Sequence, residues 1–257
     1  MPMSALQILF SNWHAKSEIA MKTNISLEEI QVVYFLGIGG IGMSAIARYF
    51  HFHGKHVLGY DRTSTALTTE LQIEGIDVHF DDSALEIPQI VRLTPKEKVL
   101  VVRTPAVPHD SHELNWFRDQ GYTLLKRSEI LGIITEKTRT IAIAGTHGKT
   151  TTSSLVAHLL TASGVGCNAF LGGISANYGT NFLLHATSPW TVVEADEFDR
   201  SFLTLSPEVS VITSMDPDHL DIYGHGNAVA EAYQLFAEKL QPHGSLIHQY
   251  DLNLDLN

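Results

Sequence analysis

The sequence predicts an α/β protein of parallel sheets, arranged as two consecutive domains. Two observations carry this: short apolar runs alternate with helical patterns, and two glycine-rich loops each follow a strand and open a helix. Val32–Leu36 reads as a buried strand, and Ile41–Phe52 has apolar residues at helical spacing. Val57–Tyr60 is a second strand, Ala66–Glu74 a second helix, and Val99–Val102 a third strand closed by the turn Thr104-Pro105-Ala106-Val107-Pro108. Ser111–Gln120 is a helix capped by Asp110 or Ser111, whose side-chain oxygens accept from free first-turn amides. After the polar stretch Lys137–Thr140 the pattern restarts, with strand Thr140–Ala144, helix Thr151–Ser163 and strands Thr191–Glu194 and Val209–Thr213. A helix over Ala228–Leu240, capped by Asn227, follows. The domains are therefore expected at 21–137 and 138–257. Residues 1–20 read as an extension, because Met21 is a plausible start. The ending Asp251–Asn257, with no closing helix, reads as a truncated second domain.

Composition narrows the function. The 257 residues are 44% hydrophobic and 18% charged, enough apolar surface to offset chain entropy and exclude a disordered chain. A formal net charge of −11 argues against a nonspecific nucleic-acid or anionic-membrane binder, which needs a basic field. No apolar run approaches the roughly 18–20 residues that cross a bilayer. The lone cysteine, Cys167, forms no internal disulfide, which points to a reducing, cytosolic compartment. His51, His53 and His56 cluster by count, but their place at a helix end favours surface roles.

The first loop, Gly37-Ile38-Gly39-Gly40-Ile41-Gly42, has the G-x-G-x-x-G spacing. Its glycines allow a tight turn and let backbone N–H groups approach a pyrophosphate at the positive end of a helix. Asp61 ends the next strand, nineteen residues past Gly42, where a carboxylate accepts from a ribose hydroxyl. NAD(P) and another nucleotide diphosphate fit this loop equally. The second loop, Gly145-Thr146-His147-Gly148-Lys149-Thr150 followed by Thr151, is a shortened phosphate loop, because Ile143 stands where the longer pattern has its first glycine. Its amides cradle phosphate oxygens, Lys149 neutralises β/γ charge and the Thr150 hydroxyl binds Mg²⁺. The chain is therefore expected to bind a nucleoside triphosphate. Glu194 ends a strand on the side where parallel sheets bind ligands, so its carboxylate can complete a Mg²⁺ site. His219, in Asp216-Pro217-Asp218-His219-Leu220-Asp221, follows the next strand and is a candidate for metal or phosphate.

Together, Tyr34–Ser44, Ala144–Thr152, Glu194–Glu197 and Asp218–Asp221 resemble, in content and order, the Mur ligases of peptidoglycan synthesis. The resemblance implies a Rossmann-like UDP-sugar domain followed by a P-loop ATPase domain, here incomplete, with the third, amino-acid-binding domain absent. It assigns the Gly37–Gly42 loop to UDP rather than NAD, Lys149 to ATP, Thr150 and Glu194 to Mg²⁺, and His219 to a second Mg²⁺ and to catalysis. Asn181 aligns loosely with a polar position near the sugar. The implied reaction is ATP-dependent ligation of L-alanine to the carboxylate of UDP-N-acetylmuramate through an acyl phosphate, the fragment binding without turnover. Alternatives are the tripeptide-recycling ligase, a non-catalytic nucleotide-binding module and an NAD(P) oxidoreductase, the last leaving the phosphate loop unexplained.

Overall fold

The computed structural model describes residues 25–216, 226–252 and 254. The first unit comprises β1 (Val32–Leu36), α1 (Ile41–Phe52), β2 (His56–Tyr60), α2 (Ala66–Ile73), β3 (Asp77–His79), α3 (Gln89–Leu93), β4 (Val99–Arg103), α4 (His112–Asp119), β5 (Thr123–Lys126) and α5 (Arg127–Glu136). Its five strands lie in the order β3-β2-β1-β4-β5, all parallel. The order reverses between β1 and β4, and ligands bind outside the carboxyl ends of strands at such a point. The Gly37–Gly42 loop leaves β1 there. Ser111 caps α4 by accepting from the Leu114 N–H at 3.2 Å.

The chain passes to the second sheet between Glu136 and Arg139, with β6 (Arg139–Ala144), α6 (Lys149–Ala162), β7 (Asn168–Ser175), β8 (Thr180–Leu183), β9 (Trp190–Glu194), β10 (Val209–Ile212), α7 (Gly226–Ala237) and β11 (Ser245–His248). Strand order is β11-β10-β6-β9-β7-β8, parallel except for the antiparallel β7–β8 hairpin. A 3-10 segment over Phe198–Thr204 joins β9 to β10. The larger shifts from expectation are in two helices: α6 starts at Lys149 rather than Thr151, and α7 spans Gly226–Ala237 rather than Ala228–Leu240, so Asn227 lies inside it rather than capping it.

Side-chain alternation along the strands builds three apolar layers. Val33, Phe35, Leu100 and Val102 share one core with Ala142, Ala144, Val193, Phe170 and Phe182 of the second sheet. Tyr34, Leu36, Val99 and Val101 face the opposite layer with Leu114 and Phe117, while Ile143, Val192 and Ala169 pack under α6. The two sheets thus share a core across α1 and α5. Among the described residues, no helix is long and apolar enough to cross a membrane.

Candidate active site

The shortened phosphate loop leaves β6 between β9 and β10. Gly145 (φ 137°) and Gly148 (φ 82°) hold left-handed backbone that side-chain-bearing residues rarely adopt. A Cβ at Gly145 would also overlap the Thr213 hydroxyl. The segment after β10 clamps the loop. Thr213 Oγ1 donates to the His147 carbonyl at 2.5 Å, the His147 N–H to Ser214 Oγ at 2.8 Å, and Thr146 Oγ1 to the Asp216 carbonyl at 2.8 Å. Gly148 precedes the first residue of α6, so free helix N–H groups point out of the loop.

Lys149 and Thr150, the first residues of α6, meet the two acids of the β9 end. Lys149 Nζ donates to the Gly145 carbonyl and to Glu197 Oε1, both at 2.8 Å, and lies 2.8 Å from Glu197 Oε2. Glu197 is only 2% exposed, so this ion pair is a buried one. Glu194 accepts from Thr150 Oγ1 at 2.9 Å, from the Gly172 N–H at 2.9 Å and from Ser153 Oγ at 3.4 Å. A Cβ at Gly172 would overlap that carboxylate, so β7 comes close only because glycine stands there. Thr151 is exposed on the first turn of α6, and His219 lies outside the described residues.

The other loop is built by packing rather than by ion pairs. The Gly37 N–H donates to the Tyr60 carbonyl at 2.8 Å, and the Gly39 N–H to Asp61 Oδ2 at 2.7 Å. A Cβ at Gly39 would stand 2.7 Å from Thr68 Cγ2 and 2.9 Å from Asp61 Oδ2; at Gly37 it would overlap Thr104, and at Gly42 the Arg127 guanidinium. Gly40 has no such constraint: the atoms nearest its added Cβ are 3.7 Å away. Asp61 therefore braces the loop, besides facing the cavity.

Three cavities run from one loop to the other. The first, about 530 Å³, is lined by Gly37, Gly39, Tyr60, Asp61, Asp82 and Ser111. The second, about 290 Å³, shares Gly40 and Thr104 with it and adds Gly42, Arg127 and Phe198. The third, about 200 Å³, shares Gly42 and Arg127 with the second and reaches Lys149, Glu194 and Asp196. Arg127, at the start of α5, lies 3.7 Å from Asp196 and faces both inner cavities.

Asn181 does not line the cavities. It is fully buried between the domains, its Nδ2 donating to the Ile41 carbonyl at 2.5 Å and to Ser44 Oγ at 3.1 Å, and its Oδ1 accepting from Arg48 Nη1 at 2.8 Å. Two residues were missed. Glu197 sits inside the acidic stretch Glu194–Glu197, and choosing the strand-ending residue passed it over. Arg127 follows β5, whose Thr-Leu-Leu-Lys run is too short to read as a strand from pattern alone.

Comparison with known proteins agrees with this geometry. Residues 32–139 match the model described as "Mur ligase family, catalytic domain", and residues 143–255 that of the "Mur ligase middle domain". The chain is 51% identical over 235 residues to a UDP-N-acetylmuramate–L-alanine ligase from Cytophaga hutchinsonii, covering 90% of this chain and 50% of that protein. A ligase of the same name from Porphyromonas gingivalis is 55% identical over 218 residues, covering 85% and 47%. The crystal structure of UDP-N-acetylmuramate–alanine ligase from Thermotoga maritima superposes with a TM-score of 0.73 at 30% identity, covering 85% of this chain and 49% of that one. A UDP-N-acetylmuramate:L-alanyl-γ-D-glutamyl-meso-diaminopimelate ligase from Neisseria meningitides has the same fold, with a TM-score of 0.77 at 23% identity, covering 87% and 72%. The chain spans about half the length of the curated relatives it matches. With the two family models covering both sheets in order, the chain belongs to the Mur ligase family.

Proposed function

We propose that this chain is the nucleotide-binding part of a UDP-N-acetylmuramate–L-alanine ligase, with the UDP-sugar in residues 21–137 and ATP in residues 138–257. The observation that carries this is the row of three adjoining cavities between the Gly37–Gly42 loop and Lys149 and Glu194. A UDP pyrophosphate at the N-terminus of α1 would have these cavities beside it as room for the attached sugar. The names of the relatives supply the substrates; the cavities supply the room between the two loops.

The chemistry follows from charge. A muramate carboxylate attacking an anionic γ-phosphate needs its repulsion offset, and Lys149 and Arg127 are the cations at the junction. The carboxylate oxygen bonds to the γ-phosphorus, the bond to the β,γ-bridging oxygen breaks, and ADP leaves. The alanine amine then attacks the acyl carbon, loses a proton and expels phosphate. Glu197 holds Lys149 Nζ beside the loop, so the ammonium needs little reorganisation to meet phosphate. Thr150 and Glu194 offer hard oxygen donors 2.9 Å apart, which suit Mg²⁺ with phosphate and water as its other ligands. Bound there, Mg²⁺ would neutralise phosphate charge. Among the described residues there is no group of three or more His, Cys, Asp or Glu that could hold a metal.

Calorimetric titration of the chain with UDP-N-acetylmuramate, against NADH, tests the first loop. Saturable binding of the UDP-sugar without NADH binding is the expected result. Preference for NADH would return the loop to a dinucleotide reading. Alanine-dependent phosphate release, assayed in a protein of the relatives' length, tests the reaction.

A further inference from the structure

We propose that Asn181, a residue of the ATP domain, is a positioning residue for the UDP-sugar, because it fixes the first turn of α1 on which the Gly37–Gly42 loop stands. This rests on the assignment of that loop to the UDP-sugar. Arginine only donates, so the oxygen of the Asn181 amide must face Arg48 and both of its N–H groups must face α1. Those two N–H groups go to the Ile41 carbonyl and Ser44 Oγ, and Ser44 Oγ itself donates to the Ile41 carbonyl at 2.9 Å. Two polar groups thus close on the carbonyl of the residue that opens α1, and both, Asn181 and Ser44, are fully buried.

Arg48 secures the other side of the amide. Its guanidinium, carried by α1 itself, is also held by Glu70 of α2 at 3.2 Å and by Glu74 just past the end of α2 at 2.8 Å. Beside it, Tyr49 packs on Phe170 and Phe182 with ring centroids 5.7 and 6.5 Å apart, which seats α1 on the β7–β8 hairpin. The same hairpin carries Gly172, whose N–H orients Glu194. One antiparallel ribbon therefore holds the carboxylate of the ATP site at one strand and the helix of the UDP site at the other. Without the amide, the Ile41 carbonyl and Arg48 each lose a buried partner, and the first turn of α1 is free to shift along the inner cavities that Ile41 lines.

The test compares UDP-N-acetylmuramate and a non-hydrolysable ATP analogue by calorimetry on the 257-residue chain and its variants. Asn181→Ala should weaken the UDP-sugar by about tenfold while changing the ATP analogue by less than about twofold. Asn181→Asp keeps an acceptor for Arg48 but sets a carboxylate against the Ile41 carbonyl; it should lose at least as much as Asn181→Ala. Ser44→Ala, a milder change certain to leave Arg48 paired, should weaken only the UDP-sugar, by about threefold. Full UDP-sugar affinity in Asn181→Asp would mean that Arg48 pairing alone matters and would overturn the proposal. So would equal losses of both ligands tracking the fall in thermal midpoint, the mark of a merely structural residue. If the unaltered chain binds ATP but not the UDP-sugar, the loop assignment falls, and this proposal with it.

Discussion

The two glycine loops are the same piece of architecture used for two different tasks. Each leaves a central parallel strand and opens a helix, yet their electrostatics are opposite in kind. The 145–150 loop carries its own cation, and two acids from the β9 end, Glu194 and Glu197, hold Thr150 and Lys149 in place. The 37–42 loop has no charged side chain of its own. It is shaped by what presses on its glycines: Thr104 at Gly37, Asp61 and Thr68 at Gly39, Arg127 at Gly42. A pyrophosphate that does not react needs only backbone N–H groups in a fixed cradle, whereas a transferring phosphoryl group needs charge set in advance. On the proposed function, this contrast puts the reacting phosphoryl group at the 145–150 loop.

The largest effect expected from this contrast is at Lys149. Lys149→Ala should lower the acyl-phosphate step by about 10³-fold in a protein of the relatives' length, leaving UDP-sugar affinity intact. Near-normal turnover would erase the distinction between the loops.

The second expectation concerns where each domain keeps its buried acids. In the second domain Glu197 is paired with Lys149. In the first, Glu113 is fully buried, accepts from the Tyr34 hydroxyl at 2.6 Å and lies 3.2 Å from His79 Nε2. Burial, with the charge of Asp82 adding and the Tyr34 hydrogen bond opposing, pushes Glu113 up to about 8. Burial pushes the Tyr34 hydroxyl up as well and His79 down, so the cluster is uncharged at neutral pH. Because the folded value is raised, this stability is complete below the ordinary carboxylate range and is lost as pH rises through about 8. Denaturant unfolding between pH 5 and 9 should show a loss of ~3 kcal/mol, and Glu113→Gln should flatten that slope. An unchanged slope in Glu113→Gln would place the titrating group elsewhere.

Next in size is Gly39→Ala. Its Cβ would press on Thr68 and displace Asp61 from the Gly39 N–H, so UDP-sugar affinity should fall about 10–30-fold. Gly40→Ala, at a site where the Cβ meets ordinary space, should cost about twofold or less, and a loss equal to that of Gly39→Ala would show that packing does not shape this loop. The smallest effect is expected at Glu197→Gln. It keeps an acceptor for Lys149 Nζ but removes the ion pair, and should raise the KM for ATP about threefold with little change in kcat. A collapse of kcat instead would give Glu197 a part in the chemistry itself.

Much of this was legible before any fold was known. β1 and α1 have the bounds that the apolar run and helical spacing indicate; β2, α2 and β4 differ from expectation by a residue at one end and α4 by a residue at each. Short or half-polar elements escaped the pattern: β3 is Asp-Val-His, and β8 is Thr-Asn-Phe-Leu, pairing antiparallel with β7. Asn181 is the instructive case. The family resemblance sets it near the sugar, whereas β8 carries it inward against α1, fully buried.

What the sequence alone determined were the two strand–glycine–helix units and the acids at the end of β9, from which the phosphate-binding proposal for both loops was drawn. These depend on neighbours within a turn or two of chain, where backbone geometry and residue type are sufficient. Only the tertiary structure decided which groups meet across the chain. Arg48 and Asn181 are 133 positions apart, Lys149 and Glu197 are 48 apart, and Tyr34 and Glu113 are 79 apart. Nothing in local pattern encodes such a pairing. It arises when two sheets share a core, and the buried polar groups left between them are stable only where each finds a partner.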